Sequence, residues 1–317
     1  MLHNIKHGSN DIKSLVKVLM DFCKFMRFKY LQIIYFFIFV NMSGNIVKTM
    51  FNVEYCKATT DQDWLVRQFE AFHFDQPFLT EKFIPRPDVS IIFHFKDAPL
   101  ILNEKKIQLE PFFAAPIIPK SLLLNFHGLM DTFVVICKPT VFSRIFGIDL
   151  SPMPRHSITL PHSIFYPAWD ALSALKTTSE RIDYFIGFIN KVQNTPYIPD
   201  AVDQLYDKIL EKGTTTLLKD IMQDCCACKR TLERNFIKRT GVSPKTVMRI
   251  IRLDYLWSKI IDEGAIDYQE LVFDGNYFDQ AHFINDFKNI VGETPSFFFK
   301  RNLQLTKMFS GREITNM

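Results

Sequence analysis

Two arginine residues, Arg230 and Arg234, lie four positions apart in a segment whose apolar residues recur with a helical period. At about 100° per residue, Leu232 and Phe236 lie on one side of such a helix and the arginines on the other. A guanidinium group can donate two hydrogen bonds to guanine O6 and N7, or bind phosphate. Because a solvated basic face is the commoner use of such a pair, the interpretation depends on the neighbouring elements.

The neighbouring elements form a helix-turn-helix pattern. A helix capped by Thr216 is followed by a turn at 224–227 and by a second helix, Lys229–Thr240, which Gly241 ends. In this motif the second helix enters the major groove of DNA. The sequence therefore predicts a DNA-contacting face on the second helix, formed by Lys229, Arg230, Thr231, Glu233, Arg234 and Lys238.

A long helix follows the first unit. Ser243 and Pro244 are a strong start, with Ser as N-cap and Pro at the first helical position. The apolar pattern continues to about residue 262, and roughly 18 residues at 1.5 Å each give about 27 Å. A rod of this length can hold two helix-turn-helix units about one DNA turn apart.

A second helix-turn-helix unit follows the long helix. A short helix over 268–273 and a turn at 274–276 precede Asp279, which caps a helix over Gln280–Val291. Phe283 and Phe287 repeat the inward pair of the first unit. The outward side, which we expect to face DNA, contains Gln280, Ala281, Ile284, Asn285 and Lys288.

Order and spacing over about 214–300 resemble the AraC/XylS family of bacterial regulators. The first unit resembles it in Cys228-Lys-Arg-Thr-Leu-Glu-Arg-Asn-Phe236, Gly241-Val-Ser-Pro244 and Arg249-Ile-Ile-Arg-Leu253. The second unit does so in Tyr277-Phe-Asp-Gln-Ala-His-Phe283, Phe287-Lys288 and Gly292-Glu-Thr-Pro295.

The resemblance implies a cytoplasmic, sequence-specific regulator of transcription, such as an activator, that binds double-stranded DNA. It also implies an N-terminal domain that senses a small-molecule effector or forms a homodimer, and it allows contact with RNA polymerase. Residues 83–93 and 131–147 resemble a barrel-like sensor domain of some family members.

Three positions depart from the family pattern. Cys228 stands where a Ser cap is favoured, and a thiol is a poor acceptor. Met222 and Val272 stand where a small Ala lets the helices pack closely. Asn276 replaces a Gly, although Asn tolerates the left-handed conformation better than most residues.

Formal charge differs between the two units. Residues 214–252 contain nine basic and three acidic residues, a net charge of +6, whereas residues 253–296 contain two and nine, a net charge of −7. Because phosphate attraction dominates affinity for DNA, we expect the first unit to supply most of the binding. The alternative is a protein-interaction adapter whose DNA-binding domain is degenerate.

Residues 50–200 predict a mostly β, barrel-like domain with flanking helices. Short β-branched and aromatic runs broken by prolines indicate strands, after a short helix near 61–71. Residues 131–147 predict a strand, a Pro turn and a helix ending at Gly147, and helical periodicity begins near Trp169. The chain is thus predicted to be α+β. A linker at 201–213 overlaps a short helix predicted over 200–211, which Gly213 ends. An all-α domain of two helix-turn-helix units joined by the long helix follows at 214–300, and a tail at 301–317.

The first 49 residues allow three interpretations. Residues 1–29 carry a net charge of +4, and residues 30–40 are apolar apart from Gln32, about half the length of a membrane span. The segment is a disordered extension outside the fold, with Met42 or Met50 as the working start, or a helix packed on the next domain, or a membrane or export segment. The last interpretation would make the protein a membrane-tethered regulator.

Other chemistry is poorly supported by the sequence. Cys225, Cys226 and Cys228 lack a second half of a zinc motif, and the histidines of residues 50–200 lack a metal or catalytic spacing. There is no Gly-rich phosphate loop and no nucleophile elbow. We therefore expect no enzymatic activity, no metal and no cofactor.

Overall fold

A computed structural model describes residues 32–40, 46–102, 106–151, 156–223, 228–263 and 268–300. The chain divides into two units, Met1–Gln32 and Ile33–Met317, and apart from Gln32 the features below belong to the second. The basic segment 1–29, the first turn at 224–227 with Cys225 and Cys226, and the tail 301–317 lie outside the described residues. No helix in the described ranges has the length and apolar character that a membrane span requires.

The N-terminal part is built on an antiparallel sheet. Its path runs β1-β2-β3-β8-β4-β7, and β5 pairs with β6 and β8. The strands are β1 (Gln32–Val40), β2 (Ile46–Lys57), β3 (Val66–Phe83), β4 (Val89–His94), β5 (Leu100–Leu102), β6 (Lys106–Gln108), β7 (Phe112–Ala115) and β8 (Leu122–Cys137).

Both faces of this sheet are apolar, because successive side chains of a strand point to opposite sides. In β8, Phe133 and Val135 join the core beneath the helices, whereas Val134 and Ile136 join a cluster on the other face with Phe72 of β3. This arrangement explains the near-continuous apolar runs that the sequence analysis interpreted as strands. The expected α+β class is confirmed.

Three helices cover one face of the sheet: α1 (Pro139–Phe146), α2 (His162–Ala174) and α3 (Thr178–Val192). The strand, Pro turn and short helix predicted over 131–147 are confirmed, and Gly147 ends α1 in the left-handed conformation. The short helix predicted near 61–71 is wrong. Turns there lead directly into β3, and Leu65, just before the strand, and Phe69 within it are buried in the sheet's core.

Two segments differ from the expected domain limits. Strand β1 and the start of β2 fall within 1–49, which the sequence assigned to an extension, yet both are at one edge of the sheet. The expected linker 201–213 contains helix α4 (Ala201–Lys212), which confirms the short helix predicted over 200–211. Leu205, Tyr206 and Ile209 of α4 are fully buried in a core shared with the first helix-turn-helix unit, so this segment is part of a packed domain.

The remaining helices carry the two helix-turn-helix units, with bounds close to those predicted from the sequence. They are α5 (Leu218–Gln223), α6 (Lys229–Thr240), α7 (Pro244–Glu263), α8 (Tyr268–Asp274), α9 (Gln280–Val291) and α10 (Pro295–Phe298).

Candidate nucleic-acid interface

The first recognition helix, α6, buries one side and exposes the other. Leu232 and Phe236 lie in a core with Met222 of α5 and Val247 of α7. Met222 therefore fills the position that the family gives to Ala. The six residues predicted to face DNA are all exposed: Lys229, Arg230, Thr231, Glu233, Arg234 and Lys238.

The outward side of α6 forms one wall of an open cleft of about 450 Å³. Arg230, Glu233, Arg234, Ile237 and Lys238 of α6 line it, and they recur at the spacing of a single helix face. The other wall is the loop that follows α1, through the residues Asp149 and Ser151. Three basic side chains of α6 line the cleft, against the two acidic side chains of Asp149 and Glu233. This excess of positive charge suits the cleft to a DNA phosphate.

The second recognition helix, α9, begins at Asp279 as predicted. The Asp279 carboxylate accepts a hydrogen bond from the His282 main-chain N–H at 2.7 Å. Phe283 and Phe287 are buried in a core with Trp257 of α7, whereas Ile284 packs partly against that core. The other four residues predicted to face DNA are exposed: Gln280, Ala281, Asn285 and Lys288.

Several charges that the sequence counted toward DNA binding are paired inside the protein. The Arg239 guanidinium is buried, donates to the Thr140 carbonyl oxygen at 2.7 and 2.9 Å, and binds the carboxylates of Asp200 and Asp203. Arg249 of α7 binds Asp286 of α9 at 2.5 Å. These two arginines therefore stabilise packing, and the free cations of the first unit are concentrated on the outward face of α6.

The second unit also presents fewer unpaired acidic side chains at its surface than its net charge of −7 suggests. Asp286 is buried and accepts hydrogen bonds from Arg249 and, at 3.1 Å, from the Tyr277 hydroxyl. Burial, followed by the charge of Asp286, raises the pKa of Tyr277, so the hydroxyl keeps its proton. Glu293 is paired with Lys82 of the sheet at 2.6 Å.

The N-terminal domain contacts the C-terminal end of each recognition helix, which the sequence analysis did not anticipate. At α9, the main-chain N–H and the hydroxyl of Ser121 donate to the carbonyl oxygens of Ile290 and Val291, each at 2.7 Å. Lys82 donates to Val291 as well, at 2.9 Å. At α6, the Leu150 N–H donates to the Lys238 carbonyl oxygen at 2.8 Å.

Local signals for these contacts are weak. Helices leave their last carbonyl groups without intrahelical partners, and Gly241 and Gly292 mark both helix ends in the sequence. Nothing in the sequence around Lys82 or Ser121 indicates that they would bind such carbonyl groups, since the partners are far apart along the chain.

Two helix-turn-helix units joined by the continuous 20-residue helix α7 define a class of DNA-binding domain. Residues 223–301 match the family model described as "Helix-turn-helix domain". The C-terminal domain is a helix-turn-helix domain of the AraC type, and this class of domain belongs to DNA-binding transcription regulators. No curated protein sequence matches the chain significantly.

Solved structures with a similar arrangement include ToxT from Vibrio cholerae, with 14% identity and a TM-score of 0.41 over 71% of this chain and 98% of that one. A fatty-acid-bound ToxT from the same species has 13% identity and a TM-score of 0.41 over 79% and 94%. The AraC-like transcriptional activator CuxR has 9% identity and a TM-score of 0.21 over 82% and 91%. At these TM-scores the likenesses do not bear on the function of this chain.

Proposed function

We propose that the protein is a sequence-specific transcription regulator that inserts α6 and α9 into successive major-groove segments of double-stranded DNA. The observation that carries the proposal is that ten of the eleven predicted DNA-facing residues, all except Ile284, are exposed on two helices joined by α7. At 1.5 Å per residue, the 20 residues of α7 span about 30 Å, close to the 34 Å of one DNA turn.

The first unit supplies most of the attraction to phosphate in this proposal. Lys229, Arg230, Arg234 and Lys238 are exposed cations on α6, whereas Lys288 is the corresponding cation on α9. Each phosphate that is neutralised releases counterions and steepens the dependence of affinity on salt. Arg230 and Arg234 also have the geometry to read guanine.

The N-terminal domain controls DNA binding through its contacts with both recognition helices. Leu150 and Thr140 bind the end of α6, the latter through Arg239, and Lys82 and Ser121 bind the end of α9. A change in the N-terminal domain therefore alters the placement of the two helices relative to each other. A small-molecule effector, RNA polymerase and a second copy of the chain stay predicted partners, and a cytoplasmic location stays a prediction.

Chemical footprinting on a duplex selected from a random library tests the proposal. We expect two protected major-groove segments about 10 base pairs apart on one side of the duplex. Arg230→Ala should remove protection from one segment, and Asn285→Ala should weaken the other. A single protected segment that neither substitution affects would contradict insertion of both helices.

A protein-interaction adapter is the second candidate, and the acidic second unit favours it. The pairing of Asp286 with Arg249 and of Glu293 with Lys82 weakens that support. Failure to select any DNA sequence from the random library, with the protein folded, would favour the adapter.

A further inference from the structure

Phe278 is an apolar side chain in an unusual place. It directly precedes Asp279, the N-cap of α9, and 93% of its surface is exposed. Single exposed apolar residues are common on protein surfaces, so the position of Phe278 at the start of a predicted recognition helix, and not its exposure alone, supports a role in binding.

The N-terminal end of α9 is the end that can enter a groove. Recognition helices contact base edges mainly with their N-terminal residues. At the opposite end of α9 the main chain is bound to the N-terminal domain, because Lys82 and Ser121 donate to the carbonyl oxygens of Ile290 and Val291. Phe278, Gln280 and Ala281 are exposed at the free end.

The residues beside Phe278 are fixed, which holds its main chain in place. Tyr277 is buried, and its hydroxyl donates to Asp286 at 3.1 Å. Asp279 accepts from the His282 N–H at 2.7 Å, and Asn276 adopts the left-handed conformation with φ of 51°. The side chain of Phe278 therefore projects from a well-determined position at the start of the helix.

The chemistry of this end differs from that of the first unit. The sequence from Asn276 to Asn285 contains no Lys or Arg, whereas α6 begins with Lys229 and Arg230. This end therefore offers no Lys or Arg side chain to a phosphate. The major-groove edge of thymine carries an apolar group, the C5-methyl, and apolar side chains such as Phe and Ala contact it directly.

We propose that the second unit recognises thymine through its C5-methyl group and that Phe278 is the specificity-determining residue for this contact, with Ala281 beside it. The inference rests on the proposed insertion of α9 into the major groove. It assigns different recognition chemistry to the two units: hydrogen bonds and charge in the first, apolar contact in the second.

The experiment selects binding sites for the full-length protein from random duplex DNA synthesised with thymine. Uracil, which lacks only the methyl group, then replaces thymine at single positions of the selected site. Loss of one buried methyl group corresponds to about 0.8 kcal/mol, or about a fourfold loss of affinity. We expect this loss at one or two positions of the half-site that Asn285→Ala identifies as that of the second unit.

Variants separate the Phe278 contact from other effects. In Phe278→Ser the loss on uracil substitution should disappear, whereas Phe278→Leu should retain part of it. Phe297→Ser is the matched control, because Phe297 is 61% exposed in α10, beyond the other end of α9. That control should keep the full sensitivity to uracil.

Two results would overturn the inference: equal affinity for thymine and uracil throughout the second half-site, or an unchanged uracil effect in Phe278→Ser. If no sequence is selected at all, the proposed DNA-binding function fails instead, so the two failures are distinguishable. Urea denaturation checks that Phe278→Ser is folded. If that variant does not fold, the comparison of thymine with uracil in the unaltered protein still tests recognition of the methyl group.

Discussion

The Lys82 ammonium group, at the end of β3, donates a hydrogen bond to the carbonyl oxygen of Val291, the last residue of α9, at 2.9 Å. It also pairs with Glu293 at 2.6 Å. A cation at the C-terminal end of a helix is stabilised by the helix dipole, and here it belongs to another domain. The second recognition helix is thus capped by the N-terminal domain.

Replacing Lys82 with Met should loosen the end of α9. We expect a destabilisation of about 1 to 2 kcal/mol, because Val291 loses a charged donor and the partly buried Glu293 loses its ion pair with Lys82. Urea denaturation gives the free energy of unfolding, and hydrogen exchange in the last turn of α9 should become faster. Lys120→Met is the matched control, since Lys120 is exposed beside Ser121; equal effects of the two variants would refute the cap.

The glycines that end the two recognition helices should differ in their response to Ala. Gly241 and Gly292 have φ of 78° and 87°, so Ala costs about 1 kcal/mol at either. A Cβ at Gly241 would lie 3.0 Å from the Leu150 carbonyl oxygen, whereas the nearest atom to one at Gly292 is Lys82 Nζ at 3.9 Å. Thermal and urea denaturation should therefore show the larger loss for Gly241→Ala. A larger loss for Gly292→Ala would contradict the close contact between α6 and the N-terminal domain.

His94 should make the N-terminal domain sensitive to acid. Its ring is buried with Nδ1 2.8 Å from Thr132 Oγ1, and burial lowers its pKa to about 4. The unfolded chain binds the proton near pH 6.5, so this contribution to stability is complete above that pH and is lost as the pH falls toward 4. The loss amounts to about 3 kcal/mol.

Denaturation at pH 7, 6 and 5 tests this prediction with His94→Gln. The variant should lose less stability than the unaltered protein as the pH falls, whereas His73→Gln, at an exposed position of β3, should behave like the unaltered protein. Parallel pH profiles for the unaltered protein and His94→Gln would show that His94 does not titrate on unfolding.

The helices of the C-terminal domain could be predicted because their signals are local. Leu232 and Phe236 mark the buried side of α6 by their spacing, Asp279 marks the start of α9, and Gly292 its end. Asn276 is left-handed, as its substitution for Gly suggested. The prediction of a helix near 61–71 was wrong because a few apolar residues, among them Leu65 and Phe69, fit both the helical and the strand period. The pairing of β3 with β8 makes the segment from Val66 onward a strand.

Contacts between distant segments could not be predicted. The spacing of residues along the sequence does not show which carboxylate faces Arg239. In the structure Arg239 is buried against Asp203, so the first unit has one cation fewer to offer DNA than its sequence indicates. In the same way, Glu293 is paired with Lys82. The first unit remains more basic than the second on the exposed faces of α6 and α9. This difference in charge rests on fewer residues than the sequence indicates.

Affinity for a selected duplex as a function of salt concentration tests the central claim most directly. We expect Arg230→Ala with Arg234→Ala to reduce affinity far more than Asn285→Ala with Lys288→Ala. The first pair should also lower the slope of log affinity against log salt by about 2, since each phosphate contact contributes about 0.9. Equal losses for the two pairs, or an unchanged slope in the arginine variant, would contradict the account.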